Sequence, residues 1–154
     1  MSEGSGQPAA IVVSACLLGV PCDHMGEASP SEAVQALGAA ARLVPICPEV
    51  AGGLPVPRPA AERLPSGRVA TGAGSDVTEA YERGAAAAVA LARAVGASEA
   101  VLKARSPSCG CRQVYDGSFS RTLVAGEGVA AEALRRAGVR VRSDEDVATG
   151  VPAS

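Results

Sequence analysis

The sequence predicts an α/β fold class, with helices packed on a mainly parallel sheet of about four strands. Three observations predict it. Short β-branched apolar runs alternate with helical stretches along the chain. The 154 residues are enough for one domain with a real core. Hydrophobic residues make up 47% but aromatics only 2%, so the core must come from Val, Leu, Ala and Ile. Such residues suit helices stacked on a small buried sheet.

Taken in order, residues 1–10 read as a flexible tail and residues 11–148 as a single domain. "AIVVSAC" (Ala10–Cys16) is a short buried parallel strand. "LLGVPCDHMGEASP" is a Gly/Pro-rich loop. Ser29 caps the next helix, with Pro30 in its first turn and Glu32 three residues on. "SEAVQALGAA" is that helix, and "ARLVPIC" (Ala41–Cys47) is the second strand. A long proline-rich segment follows, with a small hairpin around Arg68–Thr71. Segments of this length without regular structure are usually functional. Ser75 or Asp76 caps the longest helix, which Gly96 ends. "SEAVLKA" (Ser98–Ala104) is the third strand. "QVYDGSFSRTLVAGEG" is a loop or short hairpin, in which Asp116 and Gly117 make a turn. "VAAEALRRAG" is the last helix and "VRVRS" the last strand. Right-handed crossovers and a strand order of 2-1-3-4 fit this alternation.

Several function classes are disfavoured. The net charge is −2, with few aromatic rings for stacking, so nucleic acid is not the expected partner. No apolar run approaches a membrane span, and the first ten residues lack the marks of a secretory signal. The expectation is a cytoplasmic protein, monomer or homodimer, acting on a small molecule. In a reducing cytoplasm the five cysteines are not structural disulfides.

The cysteines carry the chemistry. Cys16 ends the first strand and Cys47 the second, and Cys109 follows the third. In open parallel sheets, ligands bind beyond the carboxyl ends of the strands. Three thiols distant in sequence therefore meet on one edge. Three thiolates without a fourth ligand leave an open coordination position, as catalytic rather than structural sites do. Their softness points to an iron–sulfur cluster or zinc, without choosing between them.

"VSACLLGVPC", "CPEVAGGLPVPRPAAE", "GSDVTEAY", "VLKARSPSCG" and "VYDGSF" resemble, in order, the motifs of the 2-thiouracil desulfidase family. The resemblance runs from about Ile11 to Ser143. It implies a Rossmann-like three-layer domain with a 4Fe–4S cluster on Cys16, Cys47 and Cys109. It further implies that the fourth iron takes the sulfur of a thiolated base, giving uracil and sulfide. One departure bears on the pocket wall. Where the family has an Arg-Tyr-Asp-Gly-like stretch after its second cysteine, this chain has "DHMG".

That chemistry needs a base for water and a proton donor for the ring. Glu49, two residues beyond Cys47, is the nearest carboxylate, and apolar neighbours such as Val50 would favour its neutral form. Ser106 and Ser108 flank Pro107 beside Cys109 and are candidates to hold the base or the water. Other residues are assigned bland roles. His24 and Arg58 read as solvated, Asp76 as a cap, and Cys22 stays outside the ligand set. Lys103 and Arg58 are candidates to orient a carbonyl or anionic group, with the solvated surface role preferred for Arg58. Gly52 and Gly53 lack the Lys-Ser/Thr of a phosphate loop. Gly110 lets the backbone approach a bulky cofactor, and Cys111 is a spare thiol. Two alternatives stay open here: a redox or metal sensor, and a zinc hydrolase on the same cysteines.

Overall fold

Four short apolar segments pair into one all-parallel sheet. They are β1 (Ala10–Ser14), β2 (Arg42–Ile46), β5 (Glu99–Leu102) and β8 (Arg140–Ser143), in the order β2-β1-β5-β8. The expected order 2-1-3-4 is the observed one. The computed structural model describes residues 7–152. The expected tail therefore lies mostly outside the described residues, and its end is already tied down. Arg42 N–H donates to Ala9 O at 2.9 Å, and β1 opens at Ala10.

The central strands β1 and β5 are buried on both faces, which explains their unbroken apolar runs. Pro45 sits in β2, an edge strand that can spare its missing N–H. The period of two sends alternate residues to opposite faces. Val12, Ala100, Leu102 and Val141 meet one helical layer, α3 (Thr78–Val95) and α4 (Val129–Arg136). Ile11, Val13 and Val101 face the other, α1 (Glu32–Ala36) and α5 (Asp144–Thr149). The result is the parallel α/β fold that the strand–helix alternation predicts, in the three-layer, Rossmann-like form that the resemblance implies. Alanines on α3, including Ala85, Ala88 and Ala92, allow it to lie close to its neighbours.

The helix starts differ from expectation by one or two residues. Ser31, not Ser29, caps α1, its hydroxyl accepting from Val34 N–H at 3.2 Å. The Ser29 N–H is instead spent on Cys16 O. α3 begins at Thr78, with Val77 in the cap position, so Asp76 lies one residue too early. Its carboxylate still accepts from Thr78 N–H at 2.9 Å, while Arg68 pairs with it at 2.7 Å. Gly96 ends α3 with φ 67°, as expected. Two elements were not foreseen. α2 (Pro48–Ala51) is a single turn after β2, and α5 follows β8. The start of α5 is a capping box between Ser143 and Asp146, a signal present in "SDED".

Two antiparallel hairpins stand apart from the main sheet. One joins β3 (Ala61–Arg63) to β4 (Val69–Thr71), the other β6 (Gln113–Tyr115) to β7 (Leu123–Ala125). Glu62 Oε1 ties them by accepting from Gly117 N–H and Phe119 N–H at 3.0 and 3.1 Å.

α2 docks on α3 through facing glycines. A Cβ on Gly52 would strike Ala80 O, and one on Gly84 would strike Pro48 O. Gly84→Ala should therefore push the two helices apart and cost about 1–3 kcal/mol, as overpacking does. Urea unfolding should show a lower midpoint with an unchanged slope.

Candidate active site

Beyond the carboxyl edge of the sheet lies a cavity of about 550 Å³. Cys16, Cys22, Cys47 and Cys109 all line it, together with Glu49, Ser106 and Ser108. One cavity thus brings together the three cysteines of the strand-end reasoning and the three side chains nominated beside them.

Each thiol is set by local backbone. Cys16 lies in a 3-10 turn, Ala15–Leu18, closed by Gly19 at φ 96°. Its carbonyl accepts from Gly19 N–H and Ser29 N–H. Cys47 follows β2 directly and holds the N-cap position of α2. Cys109 is in a loop fastened to the first turn of α4. Val129 N–H donates to Pro107 O at 2.9 Å, and Ala130 and Ala131 N–H donate to Ser108 O at 2.9 and 3.0 Å. Gly128 has no room for a Cβ against this loop. Gly110 is likewise needed for protein packing. Its missing side chain would press on Ser106 O and Gln113 O, not on a cofactor.

Glu49 stands in the first turn of α2 and is only 9% exposed. The apolar surroundings expected for it are not found, because Val50 faces solvent. Arg58 Nε donates to its Oε1 at 2.8 Å and Ser108 Oγ to its Oε2 at 2.9 Å. Arg58 is no surface residue. It is as buried as Glu49, and its other nitrogens donate to Cys22 O at 2.9 Å and Pro55 O at 3.1 Å. Burial opposes its charge, but Glu49 outweighs burial and raises its pKa. Tyr81 on α3 stands beside the same carboxylate. Burial, reinforced by Glu49, holds its phenol far above the usual range, so it remains a neutral donor.

The serines form a directed chain. Ser106 Oγ accepts from Ser108 N–H and Cys109 N–H, both at 3.1 Å. With its acceptor capacity taken, it donates to Ser108 Oγ at 3.0 Å. Ser108 passes its own proton toward Glu49. Ser106 is thus an anchor of the loop as well as the first donor of the chain.

Other candidates fall away from the chemistry. His24 is an exposed rim residue whose carbonyl accepts from Arg58 N–H. Lys103 lines the cavity, with Asp144 at 3.9 Å. Gly117, at φ 94°, makes the expected turn with Asp116. Gly52 serves packing and Gly53 a tight turn, with no phosphate loop. Cys111 borders a separate cleft of about 70 Å³ with Arg112 and Asp146. Cys22, left outside the ligand set, is buried against Cys47, whose thiol donates to Cys22 O at 3.6 Å.

The family model described as 2-thiouracil desulfurase matches residues 11–146. The chain belongs to that family. A solved structure of the 4Fe-4S-dependent thiouracil desulfidase TudS superposes with a TM-score of 0.85 at 45% identity. The match covers 92% of this chain and 94% of that one. The protein YbbK of Bacillus subtilis (strain 168), of uncharacterised function, is 38% identical over 146 residues, 89% of this chain and 97% of its own length. These relatives favour the desulfidase reading over the sensor and zinc-hydrolase alternatives.

The thiols suit a 2-thiouracil desulfurase cluster better than a single ion. Among the described residues no three His, Cys, Asp or Glu converge closely enough to hold one metal ion. An iron–sulfur cluster gives each cysteine its own iron and so spreads its ligands. Burial pushes the Cys16 thiol up to about 11 and those of Cys22 and Cys109 to about 12. Metal binding there must release protons.

Tyr81 and Ser14, which touches Cys109, escaped the sequence reading, and the solvated role preferred for Arg58 is overturned by its burial. A hydroxyl ending an apolar strand was the available sign for Ser14, but "PRP" in an irregular segment says nothing of burial. Arg58→Ala should strand the Glu49 carboxylate and cost about 3–5 kcal/mol in urea unfolding. Arg58→Lys should fall between it and wild type, since one ammonium replaces a three-way fork. Cys111→Ser should leave the iron content of anaerobically reconstituted protein unchanged.

Proposed function

We propose that this chain removes sulfur from a thiolated nucleobase of the 2-thiouracil kind, adding water and releasing sulfide. Cys16, Cys47 and Cys109 hold the 4Fe–4S cluster in this reading. When bound, the cluster supplies a soft iron with an open position that makes sulfur a better leaving group. The rest of the work falls to the chain's own side chains. Glu49 takes the proton of the attacking water and returns it to the departing group. Arg58 and Tyr81 keep its carboxylate aimed into the cavity. Ser108 orients Glu49 and, with Ser106 behind it, passes protons without leaving a buried hydroxyl unpaired. The buried walls exclude bulk water, which strengthens each of these contacts.

One observation carries the proposal. Glu49, which Ser108 links to the Cys109 loop, shares a single cavity with the three thiols. The partner is accordingly a small thiolated base. A net charge of −2 gives no attraction to nucleic acid. Five free thiols agree with a cytoplasmic setting. Among the described residues no helix is long and apolar enough to cross a membrane. A monomer or homodimer remains the working assembly, with residues 11–148 as one domain.

Protein reconstituted without oxygen should turn over 2-thiouracil, with thiocarbonyl absorbance falling as sulfide appears one for one. Loaded protein that releases no sulfide from any thiolated base would refute the proposal. Glu49→Gln should retain the cluster spectrum and lose about 10²–10⁴ in kcat, the range of general acid–base catalysis. Wild-type turnover in that variant would remove Glu49 from the reaction.

A further inference from the structure

β1 is buried from end to end, and its last residue is its one polar member. Ser14 is 2% exposed. It lies two residues from Val12, hence on the same face, and that face packs on Leu102 and Cys109. An aliphatic side chain would be the ordinary choice there. The hydroxyl has two partners instead. Lys103 N–H donates to its oxygen at 2.9 Å, just where β5 leaves the ladder. The same oxygen lies 3.1 Å from Cys109 Sγ. An amide can only donate, so it occupies a lone pair and leaves the hydroxyl proton for the sulfur.

Ser108 does not compete for that role. Its oxygen is 3.6 Å from the Cys109 sulfur, but its proton is directed to Glu49. Among the described residues, no side-chain hydroxyl donates to the sulfur of Cys16 or Cys47. The three thiols are therefore not equivalent, and Cys109 alone carries a fixed donor.

We infer that Ser14 is a positioning residue for the cluster, donating a hydrogen bond to the Cys109 sulfur and thereby raising the cluster's reduction potential. The inference rests on the reading of Cys109 as a ligand. Hydrogen bonds to ligand sulfur are among the features that set cluster potential, because they favour the state with more negative charge. In a reaction with no net electron transfer the benefit is different. Charge drawn toward Ser14 leaves the open iron more attractive to a thiocarbonyl sulfur. A Ser14 kept solely as acceptor for Lys103 N–H would affect folding stability but not potential.

Wild type, Ser14→Ala, Ser14→Thr and Cys109→Ala should be reconstituted anaerobically and compared for iron content and midpoint potential. Ser14→Ala should load fully and show a more negative potential, and Ser14→Thr, which keeps the hydroxyl, should stay near wild type. In resonance Raman spectra the wild-type iron–sulfur stretching bands should shift in D2O, and Ser14→Ala should lose that shift. An unchanged potential in Ser14→Ala, or wild-type bands indifferent to D2O, would overturn the inference. The D2O measurement on wild type decides the matter if Ser14→Ala takes up no cluster. Full iron content in Cys109→Ala would instead refute the ligand reading. Loss of iron there, with Ser14→Ala unmoved in potential, would refute the role of Ser14 alone.

Discussion

The ion pair between Arg58 and Glu49 is the interaction on which the site depends. A carboxylate nine-tenths removed from water is tolerated only when its lone pairs are matched. Arg58 meets that need and joins three stretches of chain at once. It holds α2 through Glu49, the Cys22 loop through a carbonyl, and its own proline-rich segment through Pro55 O. Ser108 closes the circuit on the other oxygen and brings in the Cys109 loop. A charge that would be a liability elsewhere thus fixes the relative positions of loops from distant parts of the sequence.

Regular structure supplies the rigid frame for these loops. The backbone amides that open α4 grip the carbonyls of the Cys109 loop, and the glycine contact between α2 and α3 seats Glu49 next to Tyr81. The irregular segments have little freedom once these contacts are made. Preorganisation of this kind lets a side chain meet a developing charge without first reorienting.

Much of this was legible in the sequence, for definable reasons. Buried parallel strands carry continuous β-branched runs, so β1, β2, β5 and β8 were visible, and their shared carboxyl edge gathered Cys16, Cys47 and Cys109. Glu49 and the two serines followed from closeness to those cysteines. Local signals failed where the decisive contacts were long-range. Arg58 reaches Glu49 across a proline-rich stretch whose path no periodicity describes. Tyr81 lies in the first turns of a long helix, where no local pattern separates a residue facing a carboxylate from one facing the core. Gly110 was assigned to a cofactor because its neighbours, the Ser106 and Gln113 carbonyls, are set by the fold of the loop. α5 is legible only in its capping box, Ser143 with Asp146, because its six residues are too few to show a helical period.

The two hairpins occupy a different structural tier. β3–β4 and β6–β7 hydrogen-bond within themselves and to each other, yet form no part of the four-stranded sheet. They contribute Glu62 and Tyr115 to the wall of the cavity that the cysteines also line. In the proposed reading, holding the inorganic group and shaping the space for its organic guest fall to separate parts of the molecule. Evolution can remodel the wall, by lengthening a hairpin tip or exchanging a lining residue, without touching the strands that carry the thiols. Members of such a lineage are free to diverge in the compounds they accept while inheriting one unaltered reactive edge.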